Sequence, residues 1–439
     1  MDDLLRLAHL ACEVGLREGA EFAEVHTYQG DNVRVELEKG TVKTARAQQW
    51  GGVGVRCFYR GGRGSGSTNS LTGAAVQQAA SDAAAMARAA APDPDFVSLV
   101  SPAAYPEVEG LFDQGVAGMS AAQVVRWALG AVEEARAVRS EAIVNGGASR
   151  GWGESVVVNS LGVEGYHRWS NVGVHAFVIV KQGGEVGSFH DYDVARMLTD
   201  FQPAGVGSSA AQVAVQMLGA KPVPTGVQPV IFGPLASGSI FGSICWAANA
   251  ESIQRKRSWA VGKKGEQVAS PHVSLRDEPL IPRGLGSARF DGEGFPHRPL
   301  QLVREGVLLT YLHNSYTANK AKEPNTGHAV NGGIAPTNVI PALGAKTAAQ
   351  IIKETDSGIY VNMGGIWPNP VNGEISSVID FGFKIENGEL AYPVRNTMIA
   401  MNVLELLKNV DAVSSDYREE PGEIMPTVRV AAAQVVGAG

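Results

Sequence analysis

Two neighbouring polar segments carry the side chains best suited to acid–base chemistry. The segment FDGEGFPHR, residues 290–298, holds Asp291, Glu293 and His297 among glycines and a proline, so its backbone must turn tightly. His313 follows in the segment LHNSYTANK. We take these four residues as candidate substrate-binding residues. The commoner role of such carboxylates is to cap turns by accepting local N–H groups, and this alternative stays open.

A self-sufficient hydrolase is a further interpretation of the same residues. It would be built from His297, Asp291 and Ser315, or would use His313 as its histidine. The sequence has no GxSxG-type nucleophile elbow to support this arrangement.

The remaining polar clusters favour a structural role. His167 and His175 are eight residues apart in a strand-rich stretch. On an extended strand at about 3.3 Å per residue they stand about 26 Å apart, which is too far to share a metal ion. The segment HDYD, residues 190–193, groups one histidine with two aspartates, and such clusters are usually polar groups of turns or loops.

An uncharged helix near the middle of the chain is the most unusual element. The segment SGSIFGSICWAANA, residues 237–250, has no charged residue and no histidine. Its apolar residues recur at helical spacing and predict a core-facing stripe: Ile240, Phe241, Ile244, Cys245 and Ala248. Cys245 has no histidine or second cysteine near it in sequence, so we expect a buried, unreactive thiol.

A short basic run follows this helix. Arg255, Lys256 and Arg257 are consecutive, and cations are stabilised at a helix C-terminus by the helix dipole. The same run could attract the carboxylate of a bound ligand.

The elements around these residues indicate an α+β protein. An amphipathic first helix precedes strands at about residues 21–30, 32–40 and 41–50, joined by short links that contain Gly or Asn. Helices follow at residues 71–91 and 120–138, and strands return at residues 141–180. This order predicts an antiparallel sheet covered by helices.

A proline-rich segment, residues 220–229, marks the predicted boundary between two domains. We expect an N-terminal α+β domain over residues 1–220. A mostly β, barrel-like domain is expected over residues 221–439.

Composition limits the function classes. The 37 basic and 44 acidic residues give a formal charge of −7, so nothing supports nucleic-acid binding. The three cysteines are far apart and offer neither a disulfide framework nor a CxxC zinc site. The N-terminal residues do not resemble a signal peptide, and no apolar run reaches the about 20 residues that a membrane span needs. We therefore expect a cytoplasmic protein that does not associate with membranes.

Four stretches together resemble the TldD/PmbA (TldD/TldE) family of metallopeptidase-related proteins. They are residues 52–72, 230–259, 287–320 and 382–410, and they occur in the order and at the spacing of that family. The resemblance implies peptide hydrolysis by a heterodimer in which the TldD-type subunit holds zinc and the TldE or PmbA type does not. It also implies that the two subunits enclose a chamber for unfolded peptide, which pairs as an added strand.

The zinc site that the resemblance implies for TldD-type chains has no counterpart in this sequence. In those chains the helix after the VIFGP-like strand carries HExxxH, and a cysteine near the C-terminus supplies a third ligand. The helix here matches as Ser243 to Ala248, without histidine or glutamate, and Cys245 is the last cysteine of the chain. Zinc peptidases need these ligands and the base.

The sequence therefore predicts a TldE/PmbA-type subunit without catalytic residues or cofactor of its own. Its expected partner is a zinc-bearing TldD-type subunit, and the substrate is unfolded peptide. The alternative is a peptide-binding or scaffold homodimer without hydrolytic activity. Whether the chain acts in an enzyme therefore depends on its partner.

Overall fold

The computed structural model describes residues 2–438 and shows a mixed α+β protein. The helices are α1 (Asp2–Arg17), α2 (Gly73–Ala89), α3 (Gln114–Ala117), α4 (Ala121–Val138), α5 (Val206–Gln216), α6 (Pro234–Ala247), α7 (Ala250–Gln254), α8 (Ser315–Ala321), α9 (Ala348–Lys353) and α10 (Val403–Lys408). The strands are β1 (Phe22–Glu38), β2 (Thr41–Tyr59), β3 (Gly62–Thr68), β4 (Ile143–Asn159), β5 (Glu164–Gln182), β6 (Glu185–Ala195), β7 (Gly226–Gly233), β8 (Leu275–Asp277), β9 (Leu300–Arg304), β10 (Val307–Leu308), β11 (Ala329–Val330), β12 (Gly333–Ile334), β13 (Val339–Pro341), β14 (Ser357–Met363), β15 (Glu374–Val378), β16 (Phe381–Glu386), β17 (Glu389–Pro393), β18 (Thr397–Asn402), β19 (Val410–Glu420) and β20 (Glu423–Gly437).

A six-stranded antiparallel sheet forms the first half of the chain, in the order β3-β2-β1-β4-β5-β6. Alternate residues of β1, such as Val25 and Val35, are buried under the helices. Helices α1 and α2 cover one part of this face, while α4 and α5 cover the other. The predicted antiparallel sheet with helices on it is confirmed.

The prediction of two separate strands between residues 21 and 40 is wrong, because β1 runs through Gly30 without a turn. Gly30 pairs with Trp50 on β2 and with Gly153 on β4. A Cβ at Gly30 would lie 2.5 Å from the Trp50 ring and 2.3 Å from the Trp152 carbonyl oxygen. Glycine is needed there for close packing, whereas the sequence suggests a turn.

An eight-stranded sheet dominates the second half. Its path is β15-β18-β20-β7-β14-β16-β17, and β19 pairs with β20 beside this path. The path is open among residues 2–438, with β15 and β17 at its ends, so the barrel-like domain expected from the sequence is not a closed barrel. The α+β class itself is confirmed.

Arginines join the two halves. Arg196, at the end of β6, is buried and donates hydrogen bonds to the carbonyls of Gly284 (3.0 Å) and Leu285. Arg418 on β19 pairs with Asp191 on β6 at 3.0 Å. The Arg196 bonds hold the loop at residues 284–285 against the first sheet, and the Arg418 pair holds β19 there. Within residues 2–438, no helix combines the length and apolar character that crossing a membrane requires.

Candidate functional site

Helix α6 follows β7 directly and packs on the eight-stranded sheet. Pro234 lies in its first turn, where a missing N–H removes no helical hydrogen bond. The predicted core stripe is confirmed, since the five residues named for it are all buried: Ile240, Phe241, Ile244, Cys245 and Ala248. The helix ends at Ala247, and Asn249 then caps α7 by accepting the N–H groups of Glu251 and Ser252.

The opposite face of α6 borders a cavity of about 440 Å³, which we call the α6 cavity. Four residues with small side chains form this wall: Gly238, Ser239, Gly242 and Ser243. A Cβ built at Gly242 would meet no atom within 4 Å. The space beside these four residues is therefore open because their side chains are small.

The other wall of the α6 cavity is the segment 366–370, and three of its hydrogen bonds attach it to other elements around the cavity. The N–H of Ile366 donates to Ser239 Oγ at 3.0 Å, and the N–H of Trp367 donates to Ser377 Oγ at 3.1 Å. The N–H of Trp259 donates to the carbonyl of Pro370 at 2.8 Å. The cavity is thus anchored to a helix, to strand β15 and to the segment after α7.

The structure corrects the frame in which α6 matches an HExxxH helix. The match expected from the sequence begins at Ser243, but that frame places Ile244 and Ala248 at positions that are buried in the core. The frame that begins one residue earlier places its three functional positions at Gly242, Ser243 and Ala247, which all line the α6 cavity. Two ligands and a base must reach one metal ion, so only the earlier frame is suitable.

The residues of the α6 cavity do not fit a zinc ion. Among residues 2–438, no His, Cys, Asp or Glu lines it, and Arg257 brings a positive charge. Cys245 lies on the opposite side of the helix, 1 % exposed, and burial raises the pKa of its thiol. No group of three metal-ligating side chains occurs in the described part of the chain. We therefore derive no metal-dependent step for this cavity.

A second cavity, of about 290 Å³, lies between the first sheet and the segments around α8. It contains Glu24 on β1, Arg56 on β2 and Glu293. Glu24 accepts hydrogen bonds from His26 (2.9 Å) and from Arg56. Burial alone would raise the pKa of Glu24, but these two partners outweigh it and lower the pKa to about 2.

Asp291 and Glu293 are buried and both bind backbone N–H groups. Asp291 accepts from the N–H groups of Glu293 and Phe295, each at 2.9 Å, and from that of Ala329 at 3.1 Å. Glu293 accepts the N–H of Ser315 at 3.0 Å. Burial, and then the charge of Glu293, raise the pKa of Asp291 to about 7. Asp291 thus caps a turn, as the simpler alternative proposed, and Glu293 also faces the second cavity.

The candidate histidines His297 and His313 lie in the interior. His297 is 7 % exposed and its Nδ1 has no hydrogen-bond partner in the described residues. Burial, with the nearby His328, lowers its pKa to about 4. His313 Nδ1 contacts Thr317 Oγ1 at 3.1 Å, and its Nε2 lies 3.6 Å from Glu323 Oε2.

The hydrolase arrangement of Ser315, His297 and Asp291 is not assembled. No hydrogen bond in residues 2–438 joins any two of these side chains, and the Asp291 carboxylate is occupied by backbone N–H groups. The cluster at residues 190–193 is structural, since Asp191 pairs with Arg418, but it lies on β6 and not in a loop.

Sequence reasoning missed the aromatic walls of the α6 cavity. Trp246 and Trp367 line it and are 60 % and 79 % exposed. The sequence does contain a sign of this wall at Trp246, because a tryptophan in an uncharged helix but outside the predicted core stripe indicates an exposed aromatic surface. Trp367 gives only the weaker signal of a tryptophan directly before a proline in a loop.

Three family models match successive parts of the chain. The PmbA/TldA metallopeptidase domain 1 matches residues 23–87, the central domain matches residues 116–218 and the C-terminal domain matches residues 225–437.

Individual relatives agree with these matches over nearly the whole length. A metalloprotease PmbA homolog from Haemophilus influenzae is 31% identical over 427 residues, which cover 92% of each chain. The metalloprotease PmbA of Escherichia coli is 27% identical and covers 92% of this chain and 88% of its own. The crystal structure of TldE from Thermococcus kodakarensis superposes with a TM-score of 0.89 at 24% identity, over 98% of this chain and 100% of that one.

Proposed function

This chain belongs to the PmbA/TldA metallopeptidase family, and on that premise we propose that it is the non-zinc subunit of a heterodimeric peptidase that acts on unfolded peptides. The zinc ion and the base that activates its water belong to a TldD-type partner. This chain completes the chamber and binds peptide. The proposal places the complex in the cytoplasm.

One observation carries the proposal. At the cavity-facing positions with HExxxH spacing this chain has Gly242, Ser243 and Ala247, which have no group that can coordinate zinc or accept a proton from water. Arg257 at the same cavity disfavours a divalent cation further. This chain keeps the fold around the helix but lacks the metal ligands. It therefore fits the role of a subunit that shapes the peptide chamber while its partner holds the zinc.

Peptide binding by strand pairing is supported by the open edge of β15. In the described part of the chain β15 pairs with β18 on one side and with no strand on the other, although its Glu374 carbonyl already accepts the N–H of Asn369 at 2.8 Å. Ser377 on β15 also accepts the N–H of Trp367, so this edge lies beside the α6 cavity. A peptide added to the edge gains main-chain hydrogen bonds with little sequence preference, as binding of varied unfolded peptides requires.

The four candidate substrate-binding residues have different roles in the proposal. Glu293 lines the second cavity and has the best position to meet a peptide. Asp291 supports its turn, while His297 and His313 are interior residues that hold this region together. The division into domains at residues 1–220 and 221–439 remains part of the proposal, and the second cavity then lies between the two.

Affinity purification of the tagged chain from its native host tests the partnership. We expect a co-purifying chain that carries HExxxH, and zinc in the complex but not in the isolated chain. Peptide hydrolysis should appear only when the two chains are mixed. Chelator should abolish it.

Two results would contradict the proposal in different ways. Recovery of a homodimer that binds peptide, with no activity after addition of a TldD-type chain, would favour a scaffold role. Hydrolysis by the isolated chain in excess chelator, lost in His297→Ala, would instead favour a self-sufficient hydrolase.

A further inference from the structure

The α6 cavity has the features of a preformed ligand site. Its volume of about 440 Å³ falls in the range of ligand pockets, about 300–1,000 Å³. The hydrogen bond between Ile366 and Ser239 ties its two walls together, so little order has to be gained on binding. Because Gly242 leaves its side of the wall open, a side chain as large as an aromatic ring can lie against the helix.

The walls favour an apolar, flat group. Trp246 and Trp367 come from different elements, and both leave more than half of their surface in water. Exposed indoles are costly in water and gain most when another apolar surface covers them. Pro368 and Pro370 extend the same rigid apolar surface.

One cation at this cavity has no counter-ion. Arg257 lines the cavity and is exposed, and among residues 2–438 its guanidinium has neither an ion pair nor a hydrogen bond. The neighbouring Arg255 differs, since it pairs with Glu251 at 2.7 Å. No carboxylate of residues 2–438 lines the α6 cavity. An anionic group is therefore the complement that this site lacks.

We propose that the α6 cavity binds the C-terminal residue of a peptide that ends in an aromatic side chain. The side chain lies between α6 and the segment 366–370, and the free α-carboxylate pairs with Arg257. A C-terminal aromatic residue carries an apolar ring and a carboxylate within one residue, which is the combination that this site complements. The inference goes beyond the proposed function, because it concerns a ligand site on this chain that takes no part in bond breaking.

The position of the peptide C-terminus in the α6 cavity is consistent with strand pairing at β15. Ser377 connects that strand to Trp367, so a peptide lying along the open edge of β15 runs beside the cavity. Its main chain would pair with the strand while its last residue occupies the α6 cavity. The site would then select one end of a peptide without reading its sequence.

Titration of the purified full chain with short peptides tests the proposal, with tryptophan fluorescence and calorimetry as readouts. Ala-Ala-Ala-Phe with a free carboxylate should bind at least about tenfold more tightly than its C-terminal amide and than Ala-Ala-Ala-Gly, because each comparison removes one of the two recognised groups. The first peptide alone should change the indole fluorescence strongly.

Three variants and one control variant localise the binding. Arg257→Gln should weaken the acid peptide about tenfold and leave the amide unchanged, whereas Lys256→Gln, from the same basic run, should change neither. Trp367→Ala should weaken both peptides, and because its indole is exposed the variant should fold normally. Gly242→Leu should fill the cavity and abolish binding while Arg257 stays in place.

The proposal is overturned by equal binding of acid and amide, by equal effects of Arg257→Gln and Lys256→Gln, or by no binding at millimolar peptide. If instead a copurified partner subunit covers both tryptophans and the complex does not bind the acid peptide, the cavity is a subunit interface and the proposal is wrong. Failure here leaves zinc-dependent hydrolysis by the mixed chains unaffected, so the two proposals are tested separately.

Discussion

The hydroxyl of Ser239 on α6 accepts a hydrogen bond of 3.0 Å from the backbone N–H of Ile366, and it also donates to the carbonyl of Ala236 at 2.7 Å. One small side chain therefore ties the open face of the helix to the segment that forms the opposite wall of the α6 cavity. A glycine or alanine at this position would keep the space but lose the connection.

Ser239→Ala should lower the free energy of unfolding by about 1 kcal/mol, the usual net value of one hydrogen bond that is lost from a part-buried site. Its clearer effect should be local. Amide hydrogen exchange in residues 364–370 should become faster, since the segment loses one of its anchors. Mass spectrometry of exchanged peptides measures this directly.

Ser243→Ala is the matched control for this effect. Ser243 lies on the same face of α6, but its hydroxyl donates only within the helix, to the carbonyl of Ile240 at 2.7 Å. Exchange in residues 364–370 should stay at the wild-type rate in this variant. If both variants accelerate exchange alike, the Ser239 contact is not what holds the segment.

Glu24→Gln should destabilise the protein far more than loss of a surface ion pair. The Glu24 side chain is almost fully buried and bonds both Arg56 and His26. Breaking a buried pair leaves the remaining charge without its partner, and we expect a loss of about 3 kcal/mol in the free energy of unfolding. Urea unfolding at pH 7 measures it.

Glu38→Gln serves as the comparison on the same strand. Glu38 pairs with Lys43 at 3.1 Å, and both side chains are more than half exposed. Such pairs contribute less than about 1 kcal/mol, so this variant should unfold close to wild type. Equal losses in the two variants would show that the Glu24 contacts add nothing to stability.

His297 should make the protein less stable in acid. Its pKa is about 4 in the folded protein, against 6.5 as the ordinary value. Between these two values the unfolded chain binds a proton at His297 while the folded protein does not, so unfolding takes up a proton. Stability therefore falls as pH falls from 6.5 to 4 and is unaffected by this group above 6.5.

His297→Gln should remove this part of the pH dependence, which amounts to roughly 3 kcal/mol over the window. The measurement is the slope of the unfolding free energy against pH. This slope does not depend on how much stability the substitution itself removes at pH 7. His167 also has a pKa lowered to about 4 by burial, so His167→Gln should flatten the slope further. A slope that stays at the wild-type value in both variants would contradict the assignment.

The sequence predicted what depends on local periodicity and missed what depends on contacts between distant segments. The stripe of Ile240, Ile244 and Cys245 repeats at helical spacing, and it is buried as expected. Glu24 lies on the opposite face of β1 from Val25, so alternation places it in water. It is buried because Arg56 and the segment around Glu293 pack over that face. The alternation of residues along a strand does not predict which distant segments pack on it.

The frame of α6 shows how sensitive a site is to one residue. Consecutive residues of a helix point about 100° apart, at 3.6 residues per turn, so a shift of one position exchanges cavity and core. The sequence alone does not show which segment packs against the outer face of α6, so it cannot decide which residues of the helix face the cavity. The segment 366–370 is that surface, and it lies more than a hundred residues further along the chain.

The two frames can be distinguished by substitution. Gly242→His with Ser243→Glu places the first two motif residues in the cavity-facing frame. A Cβ at Gly242 meets open space, and histidine has a higher helix propensity than glycine, so we expect the free energy of unfolding to stay within about 1 kcal/mol of wild type.

Ser243→His with Ile244→Glu places the same residues in the later frame. There a carboxylate replaces Ile244, which is 1 % exposed in the core of the second half, and the loss should exceed about 4 kcal/mol. Thermal and urea unfolding of the two double variants provide the comparison. If the second variant were the more stable one, the cavity-facing frame would be wrong, and with it the proposal that Gly242, Ser243 and Ala247 occupy the positions of two metal ligands and a base.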